Sequence, residues 1–418
     1  MTHIEQLIKD LCPNGVEFKT LGEVCDIVTK QTGFDYTNTI KPALLTKKSD
    51  GAIPYLQTRN FSGRNFEYET EYYVPEHIAK QFPKIVLDKK CLLISIVGSI
   101  GNVGLFPGDE KCFLGGAICM LKFKQGINIS FVYEYMSSIY GQKLLKSKIK
   151  GSGQATITIE DIRNFSIPFP PQEIQERIVA VLEEFSALAA ELQAELQARR
   201  KQYEYYRTHL LTPTSKSNSA DNNDGCNWTF KTLGEIGKVC MCKRILKEQT
   251  NSTSGIPFYK IGTFGGKADA YIDEDTYLEY KNKYSYPKKG DILISAAGTI
   301  GKGVVFDGEP SYFQDSNIVW IANDESLVLN KYLYYYHQII NWKVDDGGVI
   351  KRLYNNNLKS AQIAFPSLEK QARIVSILDA FDALTTSLSE GIPAEQAAQQ
   401  KRYEYYRDLL LTFDRKAV

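Results

Sequence analysis

Between Phe169 and Thr212 the pattern of apolar and polar positions settles onto a single period. Ile178, Leu182, Phe185, Ala189, Leu192, Leu196, Arg199, Tyr203, Tyr206 and Leu210 follow in alternating steps of four and three. That is the heptad seam of a coiled coil, and only Arg199 departs from its apolar character. Pro171 suits a first helical turn, where a missing N–H costs nothing, and Pro213 stops the helix. About 40 residues at roughly 1.5 Å each make a rod of about 60 Å. A lone helix of that length needs a partner, and the pattern supplies one between Ser367 and Phe413. Pro170, Gln175, Arg177, Ile178, Val179, Leu182, Phe185 and Leu188 recur as Pro366, Gln371, Arg373, Ile374, Val375, Leu378, Phe381 and Leu384. The tail Gln202-Tyr-Glu-Tyr-Tyr-Arg207 recurs as Arg402-Tyr-Glu-Tyr-Tyr-Arg407. The spacing between matched residues lengthens by four along the way, which places an insertion near Gly391-Ile-Pro-Ala394. Gly391 and Pro393 predict a break or kink there.

The repeat continues outside the helices. Phe18-Lys-Thr-Leu-Gly-Glu23 recurs identically as Phe230 to Glu235, and Ile53-Pro-Tyr55 answers Ile256-Pro-Phe258. Leu93-Ile-Ser95, Gly98 and Ile100-Gly101 answer Leu293-Ile-Ser295, Gly298 and Ile300-Gly301. The unit is therefore a globular part of about 150 residues followed by a long helix, used twice. So long a period reads as duplication rather than as a solenoid of about 20–50-residue repeats. In the first globular part an amphipathic helix over Ile4 to Leu11 precedes β-rich runs at Ala52–Leu56, Glu67–Val74, Cys91–Val97, Asn102–Phe106 and Phe113–Phe123. Helical runs fall at Pro75–Phe82 and Ile129–Ser147. The second part repeats the order, with strands at Ile256–Ile261, Asp291–Ala296 and Gly303–Phe306 and a helix near Leu329–Trp342. The expected division is 1–169 first domain, 170–212 first spacer helix, 213–227 polar linker, 228–365 second domain, and 366–418 second spacer helix and tail.

Composition narrows the function. Net charge is +1 over 418 residues, so any nucleic-acid signal must be local. No run approaches 18 apolar residues and no signal peptide opens the chain, so a cytoplasmic protein without membrane attachment is expected. Eight cysteines without a CxxC and four scattered histidines predict free thiols and no metal site. Catalytic constellations are missing too. DNA adenine methylation needs a small acidic or amide residue ahead of two prolines and an aromatic, but the only Pro-Pro pair, Pro170-Pro171, is followed by Gln172. Gly298-Thr-Ile-Gly301-Lys302-Gly303 is too short for a P-loop, and Gly303 stands where a magnesium-holding hydroxyl belongs. Asp109-Glu110-Lys111 has no counterpart in the second copy. A non-catalytic chain is expected.

Three sets of residues resemble a known family. The opening Cys12-Pro-Asn-Gly-Val-Glu-Phe-Lys-Thr-Leu-Gly-Glu-Val24 is one. The helix starts Ile167-Pro-Phe-Pro-Pro-Gln-Glu-Ile-Gln-Glu-Arg-Ile-Val179 and Phe365-Pro-Ser-Leu-Glu-Lys-Gln-Ala-Arg-Ile-Val375 are the second, and the duplicated Tyr-Glu-Tyr-Tyr-Arg ends are the third. Together, and in duplicate over essentially the whole chain, they resemble the DNA-specificity subunit of type I restriction–modification systems. The resemblance implies an α+β fold: two mixed α/β target-recognition domains separated by two long antiparallel helices that form a coiled coil, in a pseudo-twofold tandem repeat. It implies double-stranded DNA as ligand, two methyltransferase subunits docked around the helices, and restriction subunits in the full complex. S-adenosylmethionine, ATP and magnesium would then serve those partners, with no cofactor on this chain. Departures lie within the globular parts, where such subunits vary with their targets. Because the two halves differ, the target should be asymmetric and bipartite. Inserting one four-residue unit such as Ala190–Gln193 lengthens a helix by about 6 Å, and should change the unread gap while leaving both half-sites alone.

Base readout requires amide, guanidinium and hydroxyl groups on loops. In the first copy the candidates, which otherwise read as solvated loop residues, are Gln57, Thr58, Arg59 and Asn60, then Ser99 on the Gly98–Gly101 turn, and Gln154 and Thr156. In the second they are Lys260, Thr263, Thr299, Lys302, Lys351 and Arg352. Lys143, Lys146, Lys148 and Lys150 suit phosphates, or simply face solvent. Tyr205, Arg207, Tyr405 and Arg407 lie off the seam and suit contacts with a partner subunit. Arg177 and Arg373 suit the same role, or pair with nearby glutamates. The competing reading is a two-headed coiled-coil scaffold whose heads bind protein rather than DNA. A self-sufficient methyltransferase or nuclease is a third, opposed by the missing motifs.

Overall fold

The computed structural model describes residues 2–150, 155–213, 228–343, 352–387 and 391–416. The chain divides into two compact units: unit 1 takes Met1–Leu192 with Gln396–Val418, and unit 2 takes Gln193–Glu395. Each combines one globular part with a portion of each long helix.

The motif repeated identically in both copies has a structural cause. Strand Phe18–Thr20 pairs antiparallel with Ser166–Pro168, and Thr229–Thr232 pairs with Gln362–Phe365. The motif therefore ties the start of each globular part to its end. A short helix follows each first strand, Leu21–Val24 and Leu233–Ile236. At both starts a threonine backbone N–H donates to a glutamate three residues on, Thr20 to Glu23 at 2.6 Å and Thr232 to Glu235 at 2.7 Å. This satisfies a backbone donor at the helix entry.

In unit 1 a four-stranded antiparallel sheet runs in the order Cys25–Lys30, Ile118–Phe123, Cys91–Ser95, Val103–Phe106. Every residue of Cys91–Ser95 is buried. Successive side chains point to opposite faces. Leu92 and Ile94 join one core, with Phe131, Met136, Ile174, Ile178, Leu182 and Leu410. Cys91 and Leu93 join another, with Leu56, Leu87 and Phe113. A second sheet is ordered Tyr73–Val74, Ile53–Leu56, Cys112–Leu114, Val86–Leu87, and its two middle strands run parallel. Unit 2 repeats the plan. Its sheets are Lys238–Cys240, Ile318–Ala322, Ile292–Ser295, Gly303–Val305 and Tyr271–Ile272, Ile256–Tyr259, Tyr312–Phe313, again with a parallel pair in the second. Cys25, Cys91, Cys112, Cys119 and Cys242 are buried free thiols, and burial pushes the Cys25 thiol up to about 12.

The first long helix is unbroken over Gln172–Leu211, 40 residues, and its seam residues Ile178, Leu182, Leu192, Leu196 and Tyr203 are buried. Within unit 1, Phe185 packs on Tyr406 at 5.4 Å between ring centroids. Within unit 2, Tyr203 and Tyr206 pack on Phe381 at 6.2 and 5.6 Å. Early residues of one helix meet late residues of the other, so the pairing is antiparallel. The second helix comes in two pieces, Leu368–Thr386 and Gly391–Leu410. Gly391 has φ 78°, and a Cβ on it would sit 2.7 Å from the carbonyl oxygens of Ala383 and Leu384. Only glycine folds back this tightly over a helix end.

Three expected runs come out differently. Ile129–Ser147 is two helices, because Ser138 leaves helical geometry and its Oγ accepts from the Tyr140 N–H at 3.3 Å, starting a new helix. Phe113–Phe123 breaks at Gly115, where a Cβ would come within 2.3 Å of the Leu56 carbonyl oxygen. Of Glu67–Val74 only Tyr73–Val74 enters a ladder.

Candidate nucleic-acid interface

Parallel strands deliver the chain to the same end of a sheet, and here they bring two loops together. In unit 1, Gln57–Arg59 and Gly115–Ala117 leave the parallel pair and line a cleft of about 250 Å³ with Tyr55. Asn60 is buried, and its Oδ1 accepts from the Gln57 N–H at 2.9 Å, closing the turn. Gln57 and Thr58 are half-buried and Arg59 is exposed. Arg59 Nη2 donates to Gln57 Oε1 at 2.8 Å and pairs with Glu71.

The glycine turn joins this group. Asn102 Nδ2 donates to the carbonyls of Thr58 at 3.3 Å and Phe61 at 2.8 Å. Gly98 and Gly101 have φ of 73° and 98°, which leaves Ser99 exposed between them. Gln142 Nε2 donates to the Gly101 carbonyl at 2.9 Å, fixing helix Ile139–Ser147 against the turn. That helix carries Lys143 and Lys146, both exposed. Thr156 pairs its backbone with Lys150 at 3.0 Å, and the next residue, Ile157, donates to the Ile96 carbonyl at 3.0 Å. Lys150 also pairs with Asp161 at 3.0 Å, while exposed Lys143, Lys146 and Lys148 have no charged partner among the described residues. Gln154 lies outside those residues.

Unit 2 builds the same end with other side chains. Thr263 takes the place of Asn60, its Oγ1 accepting from the Lys260 N–H at 3.1 Å. Lys302 takes the place of Asn102, its Nζ donating to the Phe264 carbonyl at 2.8 Å. Thr299 is exposed between Gly298 at φ 65° and Gly301 at φ 81°. Arg352 pairs with Ala297 beside that turn, and Leu353 donates to the Ala296 carbonyl at 2.8 Å, as Ile157 does to Ile96. Lys260 Nζ pairs with Asp269 at 2.8 Å. Lys260 and Arg352 line a cleft of about 530 Å³ with Arg244, Lys247 and Gln314–Asn317. Lys351 lies outside the described residues.

Three separate stretches of sequence therefore converge at one end of each unit. Several residues there carried no sequence signal. Gln31 is buried, and its Oε1 accepts from the Tyr55 hydroxyl at 2.9 Å. Burial pushes the Tyr55 hydroxyl up to about 12, so it stays a neutral donor. Arg244 and Gln314–Asn317 have no identical partner in the other copy, so no repeat pointed to them.

On the helices, Tyr205 and Tyr405 are 64% and 63% exposed, and Arg177 and Arg373 are exposed as well. Arg207 and Arg407 turn back onto their own helices, over the rings of Tyr203 at 5.2 Å and Tyr403 at 5.4 Å. Arg207 Nη1 also donates to Gln338 at 2.7 Å, and Arg407 pairs with Asp408 at 3.2 Å. Among the described residues no helix is long and apolar enough to cross a membrane.

A duplicated domain that gathers three polar loops at one end, each copy braced by long helices, defines a duplicated recognition module. The model of the type I restriction modification DNA specificity domain matches the chain twice, over residues 13–199 and 226–396. A type I restriction enzyme specificity subunit of Haemophilus influenzae is 44% identical over 99% of this chain and 98% of its own length. The EcoR124I/EcoR124II specificity subunit of Escherichia coli is 34% identical over 60% of this chain and 65% of its own. A solved structure from work on assembly and conformational transition of the type I system shares the fold with a TM-score of 0.62, at 20% identity, covering 96% of this chain and 98% of that one. The S subunit of M. genitalium has a TM-score of 0.50 at 17% identity, with 95% and 96% covered. The chain belongs to the family of type I restriction–modification DNA specificity subunits. Membership disfavours the scaffold that bypasses DNA.

Proposed function

We propose that this chain is the sequence-reading subunit of a type I restriction–modification complex. Each unit reads one half of an asymmetric bipartite site in double-stranded DNA, and the helices set the gap. Two methyltransferase subunits dock along the helix pair, with Tyr205 and Tyr405 at matching exposed positions for that contact, and restriction subunits complete the assembly. The chain is non-catalytic and binds no cofactor. S-adenosylmethionine, ATP and magnesium act on the partners.

The observation that carries this reading is the convergence of three polar loops at the same end of both units, with the turn backbone kept and the side chains changed. A duplicated reader of two unlike half-sites requires that combination, because side chains on base edges specify sequence. The test is genome-wide single-molecule detection of N6-methyladenine in cells that express the methyltransferase with and without this chain. A two-part motif present only with the chain is expected. Its absence, with the methyltransferase active and bound, would contradict the proposal.

A further inference from the structure

We infer that Arg244 of unit 2 reads a guanine, held ready by Asp315 and the tight turn at Ser316. The inference deepens the DNA-reading function proposed above and rests on it. Arg244 lies in irregular chain after Lys238–Cys240, on the cleft it shares with Lys260 and Arg352. Its side chain is 66% exposed, whereas that of Asp315 is only 18% exposed. The Arg244 Nε donates to Asp315 Oδ2 at 2.9 Å. A guanidinium carries five donors in a planar fork. The carboxylate takes the one on Nε, and Nη1 and Nη2 meet no acceptor among the described residues. Those two nitrogens are the ends that match O6 and N7 of guanine in the major groove. Fixing Nε beforehand removes side-chain freedom that binding would otherwise have to freeze.

The buttress is itself constrained. The Asn317 N–H donates to the Asp315 carbonyl at 2.7 Å, and Ser316 between them has φ 55°. A three-residue turn with its centre in the left-handed region is strained for a serine. Strain of this kind collects where loops meet ligands.

Unit 1 solves the same place differently. Counting from the matched pairs Thr29–Met120 and Cys240–Trp320, Gly33 stands where Arg244 does. Gly115–Ala117 stands where Gln314–Asn317 does, one residue shorter. Arg59, the exposed arginine of that cleft, already has its Nη2 taken by Gln57 and Glu71. The two clefts thus offer different chemistry to DNA, as unlike half-sites demand.

The test uses the full chain co-expressed with its methyltransferase, carrying Arg244→Ala or, separately, Arg244→Lys, which keeps the charge but not the fork. The methylated motif of each is read by single-molecule sequencing. Both variants should lose the preference for guanine at one position of one half-site by about tenfold or more, with the other half-site unchanged. An unaltered motif in both halves would overturn the inference. So would methylation that weakens evenly with no change of motif, which would make Arg244 a phosphate contact. A wild-type complex without a chain-dependent motif would instead remove the function proposed above, before any variant is compared.

Discussion

The two units hold their globular parts to the helices with different chemistry at matching positions. In unit 1 the fully buried Glu134 accepts from Arg64 at 2.9 Å and from the Tyr403 hydroxyl at 2.7 Å. Arg64 reaches on to Glu183 at 3.1 Å. In unit 2 the position of Glu134 is held by Tyr335, whose hydroxyl donates to Asp379, the counterpart of Glu183. Lys331 supports that carboxylate at 3.2 Å. The carboxylate on the spacer helix is kept, Glu183 in one unit and Asp379 in the other, while the buried carboxylate of the globular part has become a neutral hydroxyl. Duplication has preserved what the backbone requires, such as the capped helix starts and the glycine turns. It has let the side chains that bridge elements drift in matched sets, because a buried carboxylate is tolerated only with its donors in place.

Breaking the unit 1 network should have the largest effect. Arg64→Ala leaves Glu134 buried with the Tyr403 hydroxyl alone, and should cost about 3–5 kcal/mol. Urea unfolding monitored on the full chain would show it as a lowered midpoint. A loss below about 1 kcal/mol would mean that the ionic joint is not what holds unit 1 together. Next comes His337, which stands where unit 1 has Met136. It is buried, neither ring nitrogen has a hydrogen-bond partner among the described residues, and burial pulls its pKa from the ordinary 6.5 to about 4. A folded pKa below the unfolded one means that the unfolded chain takes up a proton the folded chain refuses. Stability is then intact above pH 6.5 and lost as pH falls from 6.5 toward 4, by about 3 kcal/mol in all. His337→Met should remove this loss, read from thermal midpoints between pH 7 and pH 4. Equal acid sensitivity in variant and wild type would contradict it. Tyr335→Phe, the unit 2 counterpart of breaking the Glu134 network, should cost only about 1 kcal/mol, since Asp379 is partly exposed and can turn to water. The smallest effect is on salt dependence. Replacing Lys143, Lys146 and Lys148 with alanine should flatten the slope of log affinity against log salt by about 0.9 for each phosphate left without its lysine. The recognised motif should stay the same, and a changed half-site would mean that these lysines reach bases.

Much of this was legible in the chain. The seam from Ile178 to Leu210 announced the unbroken helix, and Gly391 with Pro393 announced the break in its partner, because both depend on local periodicity and backbone freedom. The glycine turns and the Gln57 and Lys260 segments were legible because each copy corroborated the other. What escaped were contacts between residues far apart. Arg64, Glu134 and Tyr403 come from three distant stretches, and no local pattern records that they meet. Arg244 and Asp315 escaped for a second reason: the copies differ there, so duplication was silent at the very position where unlike half-sites would need different residues.

In the proposed function each unit reads its own half-site with the loops gathered at one end. The most direct measurement is the N6-methyladenine motif written by the complex when Gln57, Thr58 and Arg59 are all replaced by alanine in the full chain. One half-site should relax or change while the other half and the gap between them stay as in the wild type. An unchanged motif, or one altered in both halves, would contradict it.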